Sequence, residues 1–104
     1  MSSDLRSIAE VDRLLHEPAR LMIVTLLSAV AEADFLYLHS ETGLTKGNLS
    51  AHLARLEQAG YIEVRKSFRG KIPQTLLRLT PAGQAAFEGY RRQLQGIVQR
   101  ISKS

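Results

Sequence analysis

Apolar positions along this chain recur first at helical and then at strand spacing, and the switch divides it into recognisable elements. Leu5, Ile8, Val11, Leu14 and Leu15 fall three and four apart, predicting a first helix over about 4–15 with Asp4 as N-cap. Pro18 suits the first turn of a second helix, where its missing N–H costs nothing. Leu21, Ile23, Val24, Leu26, Leu27 and Val30 carry that helix on; apolar on most sides, it reads as the central core helix. Asp34 is placed to cap a short third helix, Phe35–Thr42, which Gly43 stops. Thr45 caps a fourth, Lys46–Ala59, and Gly60 supplies its left-handed end. In this fourth helix Leu49, Leu53 and Leu56 make one narrow apolar stripe, while Gly47, Ser50, Ala51, Arg55 and Gln58 stand opposite.

The period then drops to two. Tyr61–Lys66 sets Ile62 and Val64 on one face and Glu63 and Arg65 on the other, and Gln74–Leu79 directs Leu77 and Leu79 inward. Ser67–Pro73 between them reads as a turn around Gly70, flanked by Arg69 and Lys71, with Phe68 folded back on the hairpin's own strands. Thr80 and Pro81 open a last, long helix reaching about Ile101. No internal repeat, linker or low-complexity tract interrupts this order. The expectation is a mainly α, α+β single domain over 1–104, with a helix-turn-helix at about 34–59, a two-stranded hairpin at about 61–79 and a C-terminal helix at about 81–102.

Composition narrows the function. With no cysteine, the chain has no disulfide, thiolate metal site or cysteine redox chemistry. No apolar run reaches the ~18 residues that span a bilayer, and MSSDLRSIAE lacks the layout of a signal peptide. A soluble cytoplasmic protein, without membrane association, is the plain expectation. His16, His39 and His52 have no metal-ligand spacing, so neither metal nor cofactor is expected. Ser50 and His52 lie two apart on a helix and do not face each other; no nucleophile–base set stands out, and the chain does not read as an enzyme.

Charge changes the picture more. The net +4 divides into −4 over residues 1–42, with three arginines against seven acids, and +8 over residues 43–104, with eleven lysines and arginines against three acids. The positive field thus belongs to the fourth helix, the hairpin and the last helix. A helix and a β-ribbon are the two shapes that fit DNA grooves, and an anionic polymer is the natural partner of such a surface.

The runs GLTKGNLSAHLARLEQAGYIEV and FRGKIPQTLLRLTPAG, joined across a basic turn, resemble the winged helix-turn-helix transcriptional regulators of the MarR/ArsR kind, most closely their small single-domain members. The resemblance covers about residues 12–90. It implies that the fourth helix enters the major groove of double-stranded DNA and that the hairpin is a wing touching backbone or minor groove. By position, Thr45, Lys46, Asn48, Ser50, Ala51 and Arg55 are the groove-facing candidates. The wing candidates are Arg69, Gly70 and Lys71, with Arg65 and Lys66 at the base. Two features depart from the wider family: cysteine metal-sensing pairs are absent, and there is no separate ligand-binding domain.

The chemistry of these positions agrees with those roles. Arg55 suits a bidentate contact to guanine, Asn48 an adenine edge and Ala51 a thymine methyl. Lys46, at a helix start, suits a phosphate; Arg69 and Lys71 suit phosphate, or the minor groove where it is narrow, with wedging at the groove as the less favoured alternative for Phe68. Read blandly, all are solvated residues of a soluble surface. Phe87, Tyr90, Leu94, Ile97 and Ile101 line one side of the last helix. Tyr90, Leu94, Ile97, Val98 and Ile101, with Leu5 and Ile8, are the expected homodimer seam, with packing of the same stripe against the first helix as the alternative; two-fold symmetry would set two reading helices one DNA turn apart. The expectation is a homodimeric, sequence-specific regulator, with repression favoured because a chain this small has little room for an activating surface. The alternative is a winged helix used as a protein-interaction module without specific DNA binding. An unidentified small-molecule effector between the dimerising helices and the helix-turn-helix fits the layout, with no ligand class indicated.

Overall fold

The computed structural model describes residues 11–102. In chain order it contains helix α1 (Pro18–Ser28), strand β1 (Ala33–Asp34), helices α2 (Phe35–Thr42) and α3 (Lys46–Gln58), strands β2 (Ile62–Arg69) and β3 (Ile72–Leu79), and helix α4 (Pro81–Ser102). The sheet is antiparallel in the order β1-β3-β2. This is a mainly α winged helix with a three-stranded sheet and a long last helix.

Most predicted boundaries hold because the capping chemistry is local. Asp34 and Thr45 accept hydrogen bonds from Tyr37 N and Asn48 N, closing the first turns of α2 and α3. Gly43 and Gly60 take φ of 71° and 78° at the ends of those helices, a left-handed conformation that glycine adopts without steric cost. Thr80 Oγ1 accepts from Gly83 N and donates to Gly60 O, so one hydroxyl caps α4 and ties it to the end of α3.

Four expectations need correction. Of the predicted first helix, Asp4, Leu5 and Ile8 lie outside the described residues, and residues 12–15 form turns in which Asp12 Oδ1 accepts from Leu14 N and Leu15 N. Its apolar positions are still used, since Val11 and Leu15 are buried. Helix α1 does not reach Val30: the N–H groups of Ala29 and Val30 bond the carbonyls of Leu26 and Leu27 three residues back, tightening the last turn, and Val30 is left exposed.

A third strand, β1, was not anticipated. It pairs Ala33 with Leu77 and Asp34 with Leu76, and two residues are too few to show alternation. Lastly, both wing strands run farther than expected, to a two-residue Gly70–Lys71 turn. Gly70 has φ 65° and Lys71 does not share it, the pattern of a type II′ turn. Pro73 reads locally as a strand breaker, yet it lies beyond the reach of β1. Opposite Phe68, it occupies a non-hydrogen-bonded pair whose missing N–H faces an open edge.

The core gathers under α1. Ile23, Val24 and Leu27 meet Leu38 of α2, Leu49, Leu53 and Leu56 of α3, Ile62 and Leu77 of the sheet, and Phe87 and Tyr90 of α4. All three leucines of the α3 stripe are therefore spent inward, and the helix shows its other side to solvent.

Candidate nucleic-acid interface

Every groove-facing candidate, Thr45, Lys46, Asn48, Ser50, Ala51 and Arg55, is exposed. At about 100° per residue, Gly47, Ala51, Ala54 and Gln58 stand directly opposite the leucine stripe. This makes a ridge of small side chains able to approach base edges closely. Asn48 and Arg55 flank it on the side of His52; Lys46 and Ser50 flank it toward the wing, where Ser50 lines a groove with Val64, Lys66 and Thr75. Gln58, which periodicity already sets on this outward face but which is not among the predicted contacts, suits an adenine edge.

The wing cations divide by strand alternation. Lys66 shares a face with Val64 and the α3 groove, and its Nζ donates to Thr75 Oγ1 at 3.1 Å. Arg65 points to the other face and pairs with Glu32 at 3.2 Å, next to the Arg78–Glu63 pair. Arg65 is thus turned away from α3 and partly neutralised, which sets it apart from the other wing candidates. Arg69 and Lys71 flank Gly70 at the tip. Among the described residues, Lys46, Arg55, Arg69 and Lys71 have no acidic partner. Phe68 does not fold back as expected but stays exposed, because the extended β2 carries it past the core.

A polar brace that local pattern does not reveal holds α3 against α1. Glu17, the N-cap of α1, accepts from Ala19 N and Arg20 N. Arg20 is buried, donates from Nε to Leu14 O at 2.6 Å, and sits 3.2 Å from His52 Nδ1 on α3. His52 in turn lies 3.6 Å from Glu17. Burial pushes the Glu17 carboxyl up, but the two backbone N–H groups and the nearby His52 and Arg20 side chains outweigh it, holding its pKa below the usual carboxylate value. These partners are some thirty residues apart in sequence, so only tertiary packing brings them together. His16 and His39 are engaged elsewhere, with the Tyr90 hydroxyl and the Leu44 carbonyl.

The far end of α3 is fixed by Tyr61. Its N–H donates to Leu56 O, its carbonyl accepts from Thr80 N, and its hydroxyl donates to Asp12 Oδ2 at 2.6 Å. That hydrogen bond, with burial and the nearby carboxylate charge, raises the phenol pKa from 10.0 to about 12. A pKa raised on folding contributes stability that is complete below the unfolded value and lost as pH climbs through the folded one. Unfolding free energy is therefore expected to fall between pH 10 and about 12. Tyr61→Phe should remove this part of the decline and cost about 1–2 kcal/mol at neutral pH. Urea titrations of both proteins across that range check it, and parallel pH profiles would count against it.

On α4, Tyr90 and Ile97 are covered within the chain, Leu94 is half-buried, and Val98 and Ile101 are exposed. Of the expected seam, Leu94, Val98 and Ile101 thus remain open to a partner, while Leu5 and Ile8 fall outside the described residues. Among the described residues, no helix is long and apolar enough to cross a membrane.

A family model described as a winged helix DNA-binding domain matches residues 19–98. The chain is 34% identical over 79 residues to an uncharacterized protein, MJ0432, of Methanocaldococcus jannaschii, covering 75% of this chain and 85% of that one. Its fold superimposes on a transcriptional regulator homologue from Pyrococcus horikoshii with TM-score 0.86 and 25% identity, covering 95% of this chain and 97% of that one. A MarR-family regulator from Silicibacter pomeroyi gives TM-score 0.65 at 20% identity, covering 94% and 65%.

Proposed function

Because this chain belongs to the winged helix DNA-binding domain family, we propose that it is a homodimeric, sequence-specific transcriptional regulator that represses by occupying double-stranded DNA in the cytoplasm. One observation carries the reading. Of the cations on α3 and the wing, Arg65 and Arg78 are paired with acids, whereas Lys46, Arg55, Lys66, Arg69 and Lys71 are exposed and have no acidic partner among the described residues. Free cations at both ends of one surface, around a ridge of small side chains, suit a duplex with phosphates at the margins and bases between. Arg55 and Asn48 read base edges, Ala51 packs on a thymine methyl, and Thr45, Lys46, Ser50, Lys66, Arg69 and Lys71 hold the backbone, with Gly70 allowing close approach.

The dimer reading is supported by shape as well as by the open apolar positions of α4. The radius of gyration is 15.8 Å, against about 13 Å for a compact domain of this length. The 22-residue α4, about 33 Å long, leaves Val98 and Ile101 exposed toward its end. Replacing both with glutamate is expected to convert a dimer to a monomer in sedimentation equilibrium; a wild type that is already monomeric would remove this part of the reading. The groove between α1 and α4, lined by Leu21, Thr25, Phe87, Leu94 and Val98, is where an effector would alter the spacing of two reading heads. Its coupling to DNA would be reciprocal.

Fluorescence anisotropy with duplexes selected from a random pool, against unselected ones, tests the proposal. Discrimination of roughly a thousandfold or more is expected. Arg55→Ala should cost about 1–3 kcal/mol on the selected duplex and little on random ones. Uniform loss on both would remove Arg55 from base reading, and no binding at low salt would overturn the function. A second reading, a protein-interaction module, draws on the exposed Leu36, Phe68 and Ile72; it expects weak binding without sequence preference.

A further inference from the structure

The wing tip combines its free cations with apolar side chains that nothing among the described residues covers. Phe68 and Ile72 are each 69% exposed, more than any other large apolar residue among those described. They occupy adjacent rungs on opposite faces of the hairpin, Phe68 across from Pro73 and Ile72 across from Arg69. They are on separate faces and form no contiguous patch, but each is a large apolar side chain carried past the core at the end of an extended ribbon, where a partner can reach it. The unpaired Arg69 and Lys71 beside them identify the occupant as a polyanion and disfavour an apolar protein pocket. With strand axes about 4.8 Å apart the ribbon itself is too broad to enter a minor groove about 6 Å wide, so only side chains carried at its tip can reach in. Apolar side chains delivered to that groove act as wedges that partly unstack a base step.

We propose that the wing lays the Phe68 face of its tip against the minor groove and that Phe68 wedges against a base step, with Arg69 and Lys71 on the flanking phosphates. This rests on the DNA-binding function proposed above and deepens it. Helix α3 reads base edges, whereas the wing reads how easily a step unstacks. The steps that yield most readily are TA and CA/TG, so one of these is expected under each wing. Phe68 is then a specificity-determining residue at positions where it makes no base-edge hydrogen bond.

The test uses the full chain and the tightest duplex recovered from a random pool, with 2-aminopurine replacing the adenine of each pyrimidine–purine step in turn. Anisotropy on the same samples reports binding. A several-fold rise in 2-aminopurine fluorescence is expected at one step per half-site. Phe68→Ala and Phe68→Thr should abolish it while the duplex remains bound; threonine retains strand propensity, so its loss of signal is not a loss of the wing. Changing the preferred step to a stiff AA step should cost the wild type about tenfold in affinity and the Phe68 variants less than about twofold. A bound complex with no fluorescence rise at any step overturns the wedge and leaves the DNA-binding reading standing. No binding at low salt overturns both. Self-association without DNA that Phe68→Ala abolishes would make the tip a contact between copies and overturn the wedge as well.

Discussion

Gly83→Ala is expected to lower stability by about 2–4 kcal/mol, or about 10–25 °C in melting temperature, although alanine is the better helix former. A Cβ at this position would lie 2.1 Å from the Tyr61 carbonyl oxygen, 2.9 Å from its carbon and 3.0 Å from Leu79 Cδ2. The first two neighbours are backbone, and the same carbonyl accepts from Thr80 N, so yielding would also strain the bond that starts α4. The helix must then move away from the α3–β2 junction, opening the core around Ile62 and Phe87. A half-buried glycine on the same helix is the control: no atom outside its own stretch of helix lies within 4 Å of where a Cβ on Gly89 would sit. Gly89→Ala should be neutral or stabilising by up to about 1 kcal/mol. Chemical denaturation of both variants checks the pair, and equal effects would remove the close-approach argument.

Removing the two free wing-tip cations, Arg69→Ala with Lys71→Ala, is expected to change salt dependence more than any single base-reading substitution changes affinity. If Lys46, Lys66, Arg69 and Lys71 each meet a phosphate in both halves of a dimer, eight contacts imply a log–log salt slope of about −7. Losing four of them reduces the slope to about −4, so the affinity lost between about 50 and 200 mM salt falls from roughly 10⁴-fold to roughly 10²-fold. Phosphate contacts carry no sequence information, so selected and random duplexes should weaken alike at low salt. Arg65→Ala provides the contrast. Arg65 faces away from α3 and is paired with Glu32, and its loss should leave the slope within about one unit of wild type. An unchanged slope in the tip variant would take the wing off the DNA.

What the sequence determined by itself is the set of features whose causes are local. The Leu49, Leu53 and Leu56 stripe follows from helical period, and the caps at Asp34, Thr45 and Thr80 and the stops at Gly43 and Gly60 follow from hydrogen bonds and φ preferences within a few residues. The outward ridge of α3 follows in turn, because a helix with one buried stripe must expose the other side. Tertiary structure decided the rest. Strand β1 exists only because Leu76 and Leu77 lie alongside Ala33 and Asp34, and the wing could extend through Pro73 only because β1 stops short of it.

The same distinction runs through the site. Arg65 and Arg69 look alike in sequence, but Glu32 arrives beside one of them from more than thirty residues away. Phe68 looks like a residue that should fold back, yet alternation along a strand longer than the core leaves it exposed. The Glu17–Arg20–His52 brace and the close approach of Gly83 to Tyr61 likewise depend on contacts distant in sequence. Local periodicity tells which side of an element faces out; only the packed chain decides which outward-facing charges are already satisfied and which remain free for a ligand.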